Sequence, residues 1–348
     1  MGYFSPEPKR RKADFFNMEE EWNLLERSLE KDKLTVVTGL RRYGKTSLIL
    51  TYLNETRRNY VFVDCRAMQG KMLSLRSFME ILEEELSRLS WARDLLSNIE
   101  EVRVGAFGVR IRDKRESTLL RVLRSLEGSI LVLDEAQELR RSSYRFDSLL
   151  AYIYDNLDIK IIVSGSMIGL LYRFLRVDDP EAPLYGRAYS EVRLKPLPKE
   201  KAREFLVRGF EQENLRVKEE IIEDAVEKFD GIIGWLTYFG HSFSTGRETS
   251  EEILKKASKL AVSELSKALE VYGIGRKRYE AVLKTVATLK RASWVEIKRG
   301  IEAKLGGIPD PTLANILKNL VDSGFLVKED EGYRIADPIL EYGVLAYL

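Results

Sequence analysis

The feature that most constrains this chain is a glycine-rich loop with the sequence GLRRYGKT, at residues 39–46. It follows a short, mostly β-branched run, Leu34–Val37, and precedes the apolar segment Ser47–Leu53. This spacing between a strand and a helix is typical of a loop whose backbone N–H groups surround phosphate oxygens at a helix N-terminus. We therefore expect a nucleotide site. Its predicted contacts are Gly39, Arg41, Arg42, Tyr43, Gly44, Lys45, Thr46 and Ser47.

Two residues of this loop have distinct predicted roles. Lys45 is expected to reach the β and γ phosphates of ATP, where its charge also supports catalysis, and the hydroxyl of Thr46 is expected to bind Mg²⁺. The loop thus predicts ATP or ADP and Mg²⁺ as cofactors.

An acidic pair lies at the end of another apolar run. In SILVLDEAQEL, Asp134 and Glu135 directly follow Ser129–Leu133, which has the composition of a buried parallel strand. Ligand-binding groups of an open parallel sheet gather at the carboxyl ends of its strands. We therefore expect Asp134 to hold Mg²⁺ through water, and Glu135 to orient or deprotonate the attacking water.

Further site candidates follow the next strand. Ser164 and Ser166 come at the end of the run Ile159–Val163, beside the predicted acidic pair, where they could sense the γ-phosphate. Arg187, in PLYGRA, is a candidate for stabilising the charge that develops on the transferred phosphoryl group. The sequence leaves open whether Arg187 acts within its own chain or on a neighbouring one, and it leaves the oligomeric state open as well.

Strand-like and helical patterns alternate through the first domain, which is expected to span residues 1–197 with its N-terminal arm. Tyr60–Asp64 and Val192–Leu194 predict further strands, Leu73–Leu96 predicts one helix, and Val102–Ile111 predicts a hairpin or inserted strand pair. Strands that alternate with helices predict an α/β fold, a three-layer parallel sheet with right-handed crossovers.

Two further domains are predicted beyond this sheet. Every periodic segment between Lys199 and Glu270 is helical, so residues 198–272 are expected to form an all-helical lid domain. From Arg276 onward, the order helix, helix, turn, helix and two short strands predicts a C-terminal winged-helix domain at residues 273–348.

The winged helix raises the question of a nucleic-acid partner. Its predicted recognition helix, Pro311–Asp322, leaves polar side chains outward, where they could contact a groove. The predicted wing tip, residues 329–331, is acidic and would repel phosphates. A structural or protein-contacting role of this domain is therefore favoured over sequence-specific DNA binding. The outward side chains are those of Thr312, Asn315, Lys318 and Asn319.

Composition excludes several other classes of protein. The 57 lysines and arginines nearly balance the 55 aspartates and glutamates, so the formal charge of +2 creates no general attraction to nucleic acid. A single cysteine, Cys65, and a single histidine, His241, argue against an internal disulfide, a zinc cluster and histidine-dependent nucleophilic hydrolysis. Without a long apolar run or a signal peptide, the chain is expected to be cytoplasmic and to have no membrane partner.

Several segments together resemble the archaeal ATPase family of P-loop proteins, and the resemblance covers nearly the whole chain. That family is related to signal-transduction ATPases and origin-recognition AAA+ ATPases, and has an ATPase core, a helical lid and a terminal winged helix. The resemblance implies Walker A roles for Lys45 and Thr46, Walker B roles for Asp134 and Glu135, and the sensor position for Ser164. The segments are GLRRYGKTSL, VLDEAQEL, VSGSMIGLL, PLYGRA followed by LKPL, and YRIADPIL.

The resemblance also bears on adenine binding and on the lid. In related folds, the aromatic segment before an acidic first helix lines the adenine, which here implies Phe16 or Phe15 ahead of Glu19–Glu21. The stretch FDGIIGWLTYFG resembles the glycine-proline motif by which related ATPases read nucleotide state. Ile233 and Gly234 leave no proline there, so reading by that motif is not expected to carry over.

These observations predict an ATP-hydrolysing switch, in which the lid and winged helix transmit the nucleotide state to a partner. The alternative is a DNA-binding regulator that is gated by ATP occupancy and has little turnover. A processive motor is disfavoured, because the chain lacks the additional motifs of a translocase.

Overall fold

The computed structural model describes residues 2–68, 74–105, 108–246 and 248–348. None of the helices in these ranges is both long enough and apolar enough to cross a membrane. The strands are β1 Leu34–Thr38, β2 Tyr60–Asp64, β3 Val102–Gly105, β4 Gly108–Ile111, β5 Ile130–Asp134, β6 Lys160–Gly165, β7 Ser190–Arg193, β8 Leu326–Glu329 and β9 Gly332–Ile335. The helices are α1 Glu19–Lys31, α2 Lys45–Glu55, α3 Leu75–Ser87, α4 Ser90–Leu96, α5 Glu116–Ser125, α6 Phe146–Asn156, α7 Ile168–Leu175, α8 Lys199–Gln212, α9 Glu219–Phe229, α10 Ile233–Thr245, α11 Ser250–Leu269, α12 Arg276–Leu289, α13 Trp294–Leu305, α14 Asp310–Asp322 and α15 Pro338–Tyr347.

The main sheet is parallel and has the strand order β2-β5-β6-β1-β7. β1 and β5 are buried at every position, as expected of apolar parallel strands that are covered on both faces. The register pairs Asp64 with Asp134 and Thr38 with Gly165. The carboxyl ends of β1, β2, β5 and β6 therefore lie along one edge of the sheet. This confirms the predicted parallel α/β sheet, with strand boundaries that differ from the prediction by one or two residues.

The hairpin prediction is confirmed, whereas the single helix predicted over Leu73–Leu96 is wrong. Strands β3 and β4 pair antiparallel; the residues between them, 106–107, and the predicted helix start at Leu73 lie outside the described residues. Helix α3 ends at Ser87, and Leu89 adopts an extended conformation before α4. The Ser87 hydroxyl donates to the Val109 carbonyl (3.1 Å) and accepts from its N–H (2.8 Å). We attribute the break to this contact with the hairpin, which helical periodicity cannot reveal.

Helix α15 was not predicted, and it follows the two strands of the wing. The Asp337 side chain accepts hydrogen bonds from the N–H groups of Ile339 and Leu340, and Pro338 occupies the first helical turn. An acidic N-cap followed by proline is a helix-start signal that the sequence does contain. At Gly343, α15 approaches α11 so closely that an added Cβ would lie 2.8 Å from the Ser258 carbonyl oxygen. The C-terminal region thus ends in a packed helix.

The chain forms two compact units, and we name them by their contents. The sheet unit comprises Lys9–Leu40 and Lys45–Leu194. The C-terminal unit comprises the N-terminal arm as far as Pro8, the loop residues Arg41–Gly44, and Lys195–Leu348. The helical and winged-helix regions both lie in the C-terminal unit, and their separation into domains at residues 272/273 stays a prediction.

The N-terminal arm belongs to the C-terminal unit because Phe4 is buried among its helices. The Phe4 ring makes edge contacts with Phe205 and Phe210, at centroid distances of 5.8 and 4.9 Å. A Cβ added at Gly209 or Gly240 would lie 2.3 or 2.2 Å from that ring. These two glycines on α8 and α10 therefore make the space that the aromatic side chain fills.

Candidate nucleotide site

The phosphate loop joins β1 to α2 and has the backbone geometry that its glycines allow. Gly39 and Gly44 have positive φ angles of 146° and 89°, which glycine adopts at little steric cost. Arg42 has a φ of 67°, a left-handed conformation that is uncommon for a residue with a side chain. The loop therefore needs its two motif glycines, and it holds one arginine in a strained conformation.

Lys45 is folded back onto the loop that precedes it. Its Nζ donates to the carbonyl oxygens of Gly39 (2.8 Å) and Leu40 (3.1 Å), and the residue is only 5% exposed. The same nitrogen lies 4.0 Å from Oε1 of Glu135. The ammonium group is therefore positioned at the loop, close to the acidic pair, and its contact with nucleotide phosphates stays a prediction.

The two residues predicted to hold Mg²⁺ contact each other. The Thr46 hydroxyl donates to Oδ2 of Asp134 over 2.9 Å, and the Ser164 hydroxyl donates to Oδ1 of the same carboxylate. Asp134 is fully buried. Burial raises its pKa, as does the charge of Glu135, while the hydrogen bonds from Ser164 and Thr46 act in the opposite direction. Asp134 is thus a desolvated carboxylate whose position is set by two hydroxyl groups.

A hydroxyl and a carboxylate are suitable partners for Mg²⁺, which takes oxygen ligands and usually retains several waters. Only a few protein oxygens are needed when nucleotide phosphates supply the others. The oxygen donors of Thr46 and Asp134, 2.9 Å apart, therefore fit this ion chemically.

Glu135 is held by groups from two segments. Its Oε2 accepts hydrogen bonds from the Ser166 N–H (3.1 Å), the Ser166 hydroxyl (2.7 Å) and Nε2 of Gln137 (2.6 Å). Its backbone is left-handed, with a φ of 53°. Burial alone would raise the pKa of Glu135, but the charge of Lys45 and these hydrogen bonds lower it below its usual value. A charged carboxylate is therefore fixed next to Asp134.

The two central arginines of the loop, which belong to the C-terminal unit, both contact Glu264 of that unit. Arg42 makes a two-pronged contact with Glu264, with hydrogen bonds of 2.5 and 3.1 Å, and Arg41 donates to the same carboxylate over 3.3 Å. Tyr43 is 8% exposed; burial and the nearby Asp337 raise its pKa to about 12. All three side chains engage protein groups here, and nucleotide contact by them stays a prediction.

The remaining predicted contacts lie in the sheet unit. Ser47 accepts a hydrogen bond from the Lys9 N–H over 3.1 Å. Phe16 is 5% exposed and lies just before α1. Arg187 is paired with Asp155 and also donates to the Pro183 carbonyl. Adenine contact by Phe16 and catalysis by Arg187 stay predictions; the latter requires the guanidinium to leave Asp155.

Sequence reasoning missed the residues that position Glu135 and Arg42. Ser166 was considered as a phosphate sensor, and nothing indicated its contact with Glu135. Gln137 lies two residues after Glu135, so its proximity could have been inferred from the chain. No local signal indicated Glu264, which is 222 residues from Arg42.

The winged-helix region differs from its prediction in the charges of the wing, whose acidic side chains are partly paired with arginines. On α14, Asn315 and Lys318 are exposed and Thr312 is half-buried, whereas Asn319 donates to the Tyr279 hydroxyl. Two of the three wing carboxylates form ion pairs: Glu329 contacts Arg291 and Arg334, and Glu331 also contacts Arg291. The distances of these three pairs are 2.8, 2.5 and 2.9 Å. The wing is therefore less repulsive to phosphate than its sequence suggested.

Two parts of the chain match known sequence families. Residues 15–239 match the family described as an ATPase domain predominantly from Archaea, and residues 274–336 match the C-terminal winged helix-turn-helix domain of MCM proteins. A Pyrococcus horikoshii protein described as an uncharacterized ATP-binding protein is 30% identical over 244 residues. The matched region covers 62% of this chain and 71% of that protein.

The fold is similar to that of solved structures. The Walker-type ATPase of Pyrococcus abyssi has a TM-score of 0.86 and 34% identity, and the match covers 98% of this chain and 99% of that one. Cdc6p from Pyrobaculum aerophilum, at 15% identity, has a TM-score of 0.49 over 98% of this chain and 96% of its own. The likeness to the Pyrococcus abyssi structure extends over the sheet, the helical region and the winged helix.

Proposed function

The chain belongs to the family of ATPase domains found predominantly in Archaea, and we propose that it is a Mg²⁺-dependent ATP hydrolase that acts as a molecular switch. The arrangement of Lys45, Thr46, Asp134 and Glu135 supports this proposal most directly. Two adjacent carboxylates differ in their contacts: Asp134 binds the loop hydroxyl of Thr46, and Glu135 lies 4.0 Å from the loop ammonium. One carboxylate can thus serve the metal while the other serves water.

The residues of the loop bind and orient the nucleotide in this proposal. Lys45 exchanges its hydrogen bonds to Gly39 and Leu40 for bonds to the β and γ phosphates, and the loop N–H groups surround the phosphate oxygens. Thr46 and Asp134 hold Mg²⁺, which when bound offsets phosphate charge. Positioning and charge stabilisation are the main contributions that a protein makes to phosphoryl transfer.

Glu135 orients the attacking water and accepts its proton. Ser166 and Gln137 hold Oε2, and we assign proton acceptance to Oε1. The lowered pKa keeps the carboxylate charged near neutral pH, so that it can accept a hydrogen bond from water.

A single-turnover measurement of phosphate release tests the hydrolysis. The wild type is compared with Glu135→Gln, which preserves the shape of the side chain but cannot accept the proton. Turnover is expected to fall by about 100-fold to 10,000-fold, while Mg-ATP binding, measured by calorimetry, persists. Glu127→Gln, an exposed carboxamide substitution in the same unit, serves as the matched control and should retain wild-type turnover.

Two results would oppose this function. A wild-type protein that binds Mg-ATP but releases no phosphate would exclude the hydrolase and leave a nucleotide-binding switch. Equal rates for wild type and Glu135→Gln would exclude Glu135 as the base.

A second candidate is a DNA-binding regulator gated by ATP occupancy. It is favoured by the match to the MCM winged helix-turn-helix family and by the pairing of the wing carboxylates with Arg291 and Arg334. Exposed Asn315 and Lys318 on α14 would then face the nucleic acid.

Binding of a fluorescent DNA duplex across a salt series tests this candidate. Binding through phosphates should weaken steeply as salt increases. Lys318→Glu should weaken binding and reduce the salt slope by about 1 or more, whereas Lys267→Glu, the same charge change at an exposed position of α11 outside α14 and the wing, should not. An unchanged slope in Lys318→Glu, or no binding at low salt, favours a protein partner instead.

A further inference from the structure

The centre of the phosphate loop is packed against the start of α10. The backbone carbonyl of Arg42, held at a φ of 67°, accepts a hydrogen bond of 2.9 Å from the Gly234 N–H. A Cβ added at Gly234 would lie 2.5 Å from Cβ of Arg42 and 3.0 Å from its Cα and carbonyl oxygen. The lack of a side chain at Gly234 therefore allows the backbone of α10 to approach the backbone of Arg42. Gly234 lies in the stretch that resembles the glycine-proline motif but contains no proline.

The Arg42 side chain is held from two further directions. Its guanidinium makes the two-pronged contact with Glu264 on α11, and its Cζ lies 3.9 Å from the centroid of the Trp235 ring. A planar guanidinium suits both contacts, since it binds carboxylates with two parallel N–H groups and stacks on aromatic faces. Arg42 is therefore held by a backbone hydrogen bond, by an ion pair of its guanidinium and by stacking of that guanidinium on an indole ring.

Trp235 extends these contacts to the last helix. Its indole N–H donates to Oδ2 of Asp337 over 2.8 Å, and Oδ1 of the same carboxylate accepts from the N–H groups of Ile339 (2.8 Å) and Leu340 (3.4 Å). Trp235 is fully buried. Each link is a direct contact, and the series runs from the phosphate loop to the N-terminus of α15. We call Arg42, Gly234, Trp235, Glu264 and Asp337 the Arg42 cluster.

We propose that Arg42 is a positioning residue that couples the conformation of the phosphate loop to the N-terminus of α15, through Trp235 and Asp337. This proposal rests on nucleotide binding by the loop, as in the proposed function, but it does not require hydrolysis. The loop backbone must arrange its N–H groups around phosphate oxygens, so a nucleotide has a direct effect on the peptide units on either side of Arg42. Movement of Arg42 changes its carbonyl bond to Gly234 and its stacking on Trp235.

Thermodynamic linkage makes the coupling reciprocal. If nucleotide binding shifts the Arg42 cluster and so changes the affinity for a partner, then that partner must change nucleotide affinity by the same factor. The cluster thus identifies how the proposed switch is regulated: a partner that binds near α15 changes ATP affinity through the loop itself. Neither effect requires a residue of α10, α11 or α15 to contact the nucleotide.

Amide hydrogen exchange of the full-length protein tests the coupling. The probe is the peptide that covers residues 338–347, measured without nucleotide, with Mg-ATP and with Mg-ADP. In the wild type, Mg-ATP should change the exchange of Ile339 and Leu340 by about fivefold or more, in line with typical couplings between sites. In Glu264→Gln this response should be largely lost, although the variant still binds Mg-ATP in calorimetry.

Three further variants control for a merely structural effect. Glu251→Gln lies on the same helix, with its side chain 68% exposed, and should respond as the wild type does. Arg42→Lys keeps the charge but not the fork or the flat face, and should restore only part of the response that Arg42→Gln loses. Trp235→Phe keeps an aromatic ring but removes the N–H that donates to Asp337, so it tests the coupling at a second contact. Circular dichroism identifies any variant that has lost its fold.

The outcomes separate this proposal from the proposed function. An exchange response in Glu264→Gln and Trp235→Phe equal to that of wild type would overturn the coupling while leaving ATP hydrolysis intact. A wild type that binds Mg-ATP without any response in residues 338–347 would do the same. A response without phosphate release would support the coupling and exclude the hydrolase, whereas no binding of Mg-ATP by the wild type would overturn both.

Discussion

The phosphate loop is held differently at its ends and at its centre. At its ends, Lys45 and Thr46 bind groups of the sheet unit, and both Lys45 and Asp134 are almost completely buried. At its centre, Arg42 binds Glu264, where the two side chains are 21% and 30% exposed. Water screens the partly exposed ion pair between Arg42 and Glu264, but it has little access to the buried contacts of Lys45 and Asp134. We therefore expect changes at the ends to abolish chemistry and changes at the centre to alter coupling.

The largest effect on nucleotide affinity is expected from Lys45→Ala. The substitution removes the charged donor that the ends of the loop hold toward the phosphates, so Mg-ATP affinity should fall by about 100-fold, or about 3 kcal/mol. Isothermal titration calorimetry measures it. Lys31→Ala, on the exposed end of α1, is the matched control. Unchanged affinity would show that the loop does not bind phosphate as proposed.

Asp134→Asn should act on the metal more than on the nucleotide. The amide preserves the size of the side chain and an oxygen that can accept from Thr46, but it removes the negative charge. The gain in ATP affinity that Mg²⁺ provides should shrink by about 10-fold to 100-fold, as for other partners that orient a metal ion, while affinity without Mg²⁺ changes less. Titrations with ATP in the presence of Mg²⁺ or of a chelator measure both quantities. Equal loss under the two conditions would contradict a role of Asp134 toward the metal.

Ser166→Ala should have a smaller effect, because the backbone N–H of residue 166 and Gln137 still hold Glu135. The lost hydroxyl hydrogen bond to a carboxylate corresponds to about 1.5 kcal/mol, or about tenfold in turnover. Single-turnover phosphate release measures this change, and binding of Mg-ATP should remain close to wild type. Ser125→Ala, at a half-buried position of α5 where the hydroxyl donates to the Arg121 carbonyl, is the control. Wild-type turnover in Ser166→Ala would mean that the hydroxyl does not position the base.

The smallest effect is expected from Glu264→Gln, which removes the charge on α11 that pairs with Arg42 at the centre of the loop, and it concerns the stability of the fold. Burial would raise the pKa of Glu264, but Arg42 and Arg41 lower it below its usual value. A lowered pKa contributes stability above the ordinary glutamate pKa of about 4.3, and this contribution is lost as the pH falls through the lower folded value. The variant should be less stable by about 1 kcal/mol at pH 7.

Urea unfolding of wild type and Glu264→Gln across a pH series measures this difference. It should narrow below about pH 4, where the wild-type carboxylate also becomes neutral. Glu251→Gln, on the exposed side of α11, should show little difference at any pH. A difference between wild type and Glu264→Gln that does not depend on pH would indicate lost packing and not a lost ion pair.

Local patterns in the sequence predicted most of the sheet and the residues at its carboxyl edge. The apolar runs that became β1, β2, β5 and β6 are short and continuous, and the phosphate loop lies between a strand and a helix as its spacing indicates. The break between α3 and α4 was not predicted, since Ser87 binds a hairpin whose position depends on the whole fold. Helix α15 was missed despite its local Asp337-Pro338 start signal.

The sequence by itself determined that Lys45, Thr46, Asp134 and Glu135 belong to one edge, because strand order and chain direction bring the carboxyl ends of parallel strands together. Only the tertiary structure decided how these groups are held. Ser166 binds Glu135 from 31 residues away, and Glu264 binds Arg42 from 222 residues away. Such contacts depend on how distant elements pack, and neither the 3.6-residue nor the two-residue periodicity of the chain carries that information. The phosphate loop could therefore be predicted from the sequence, but the contacts of Arg41 and Arg42 with Glu264 could not.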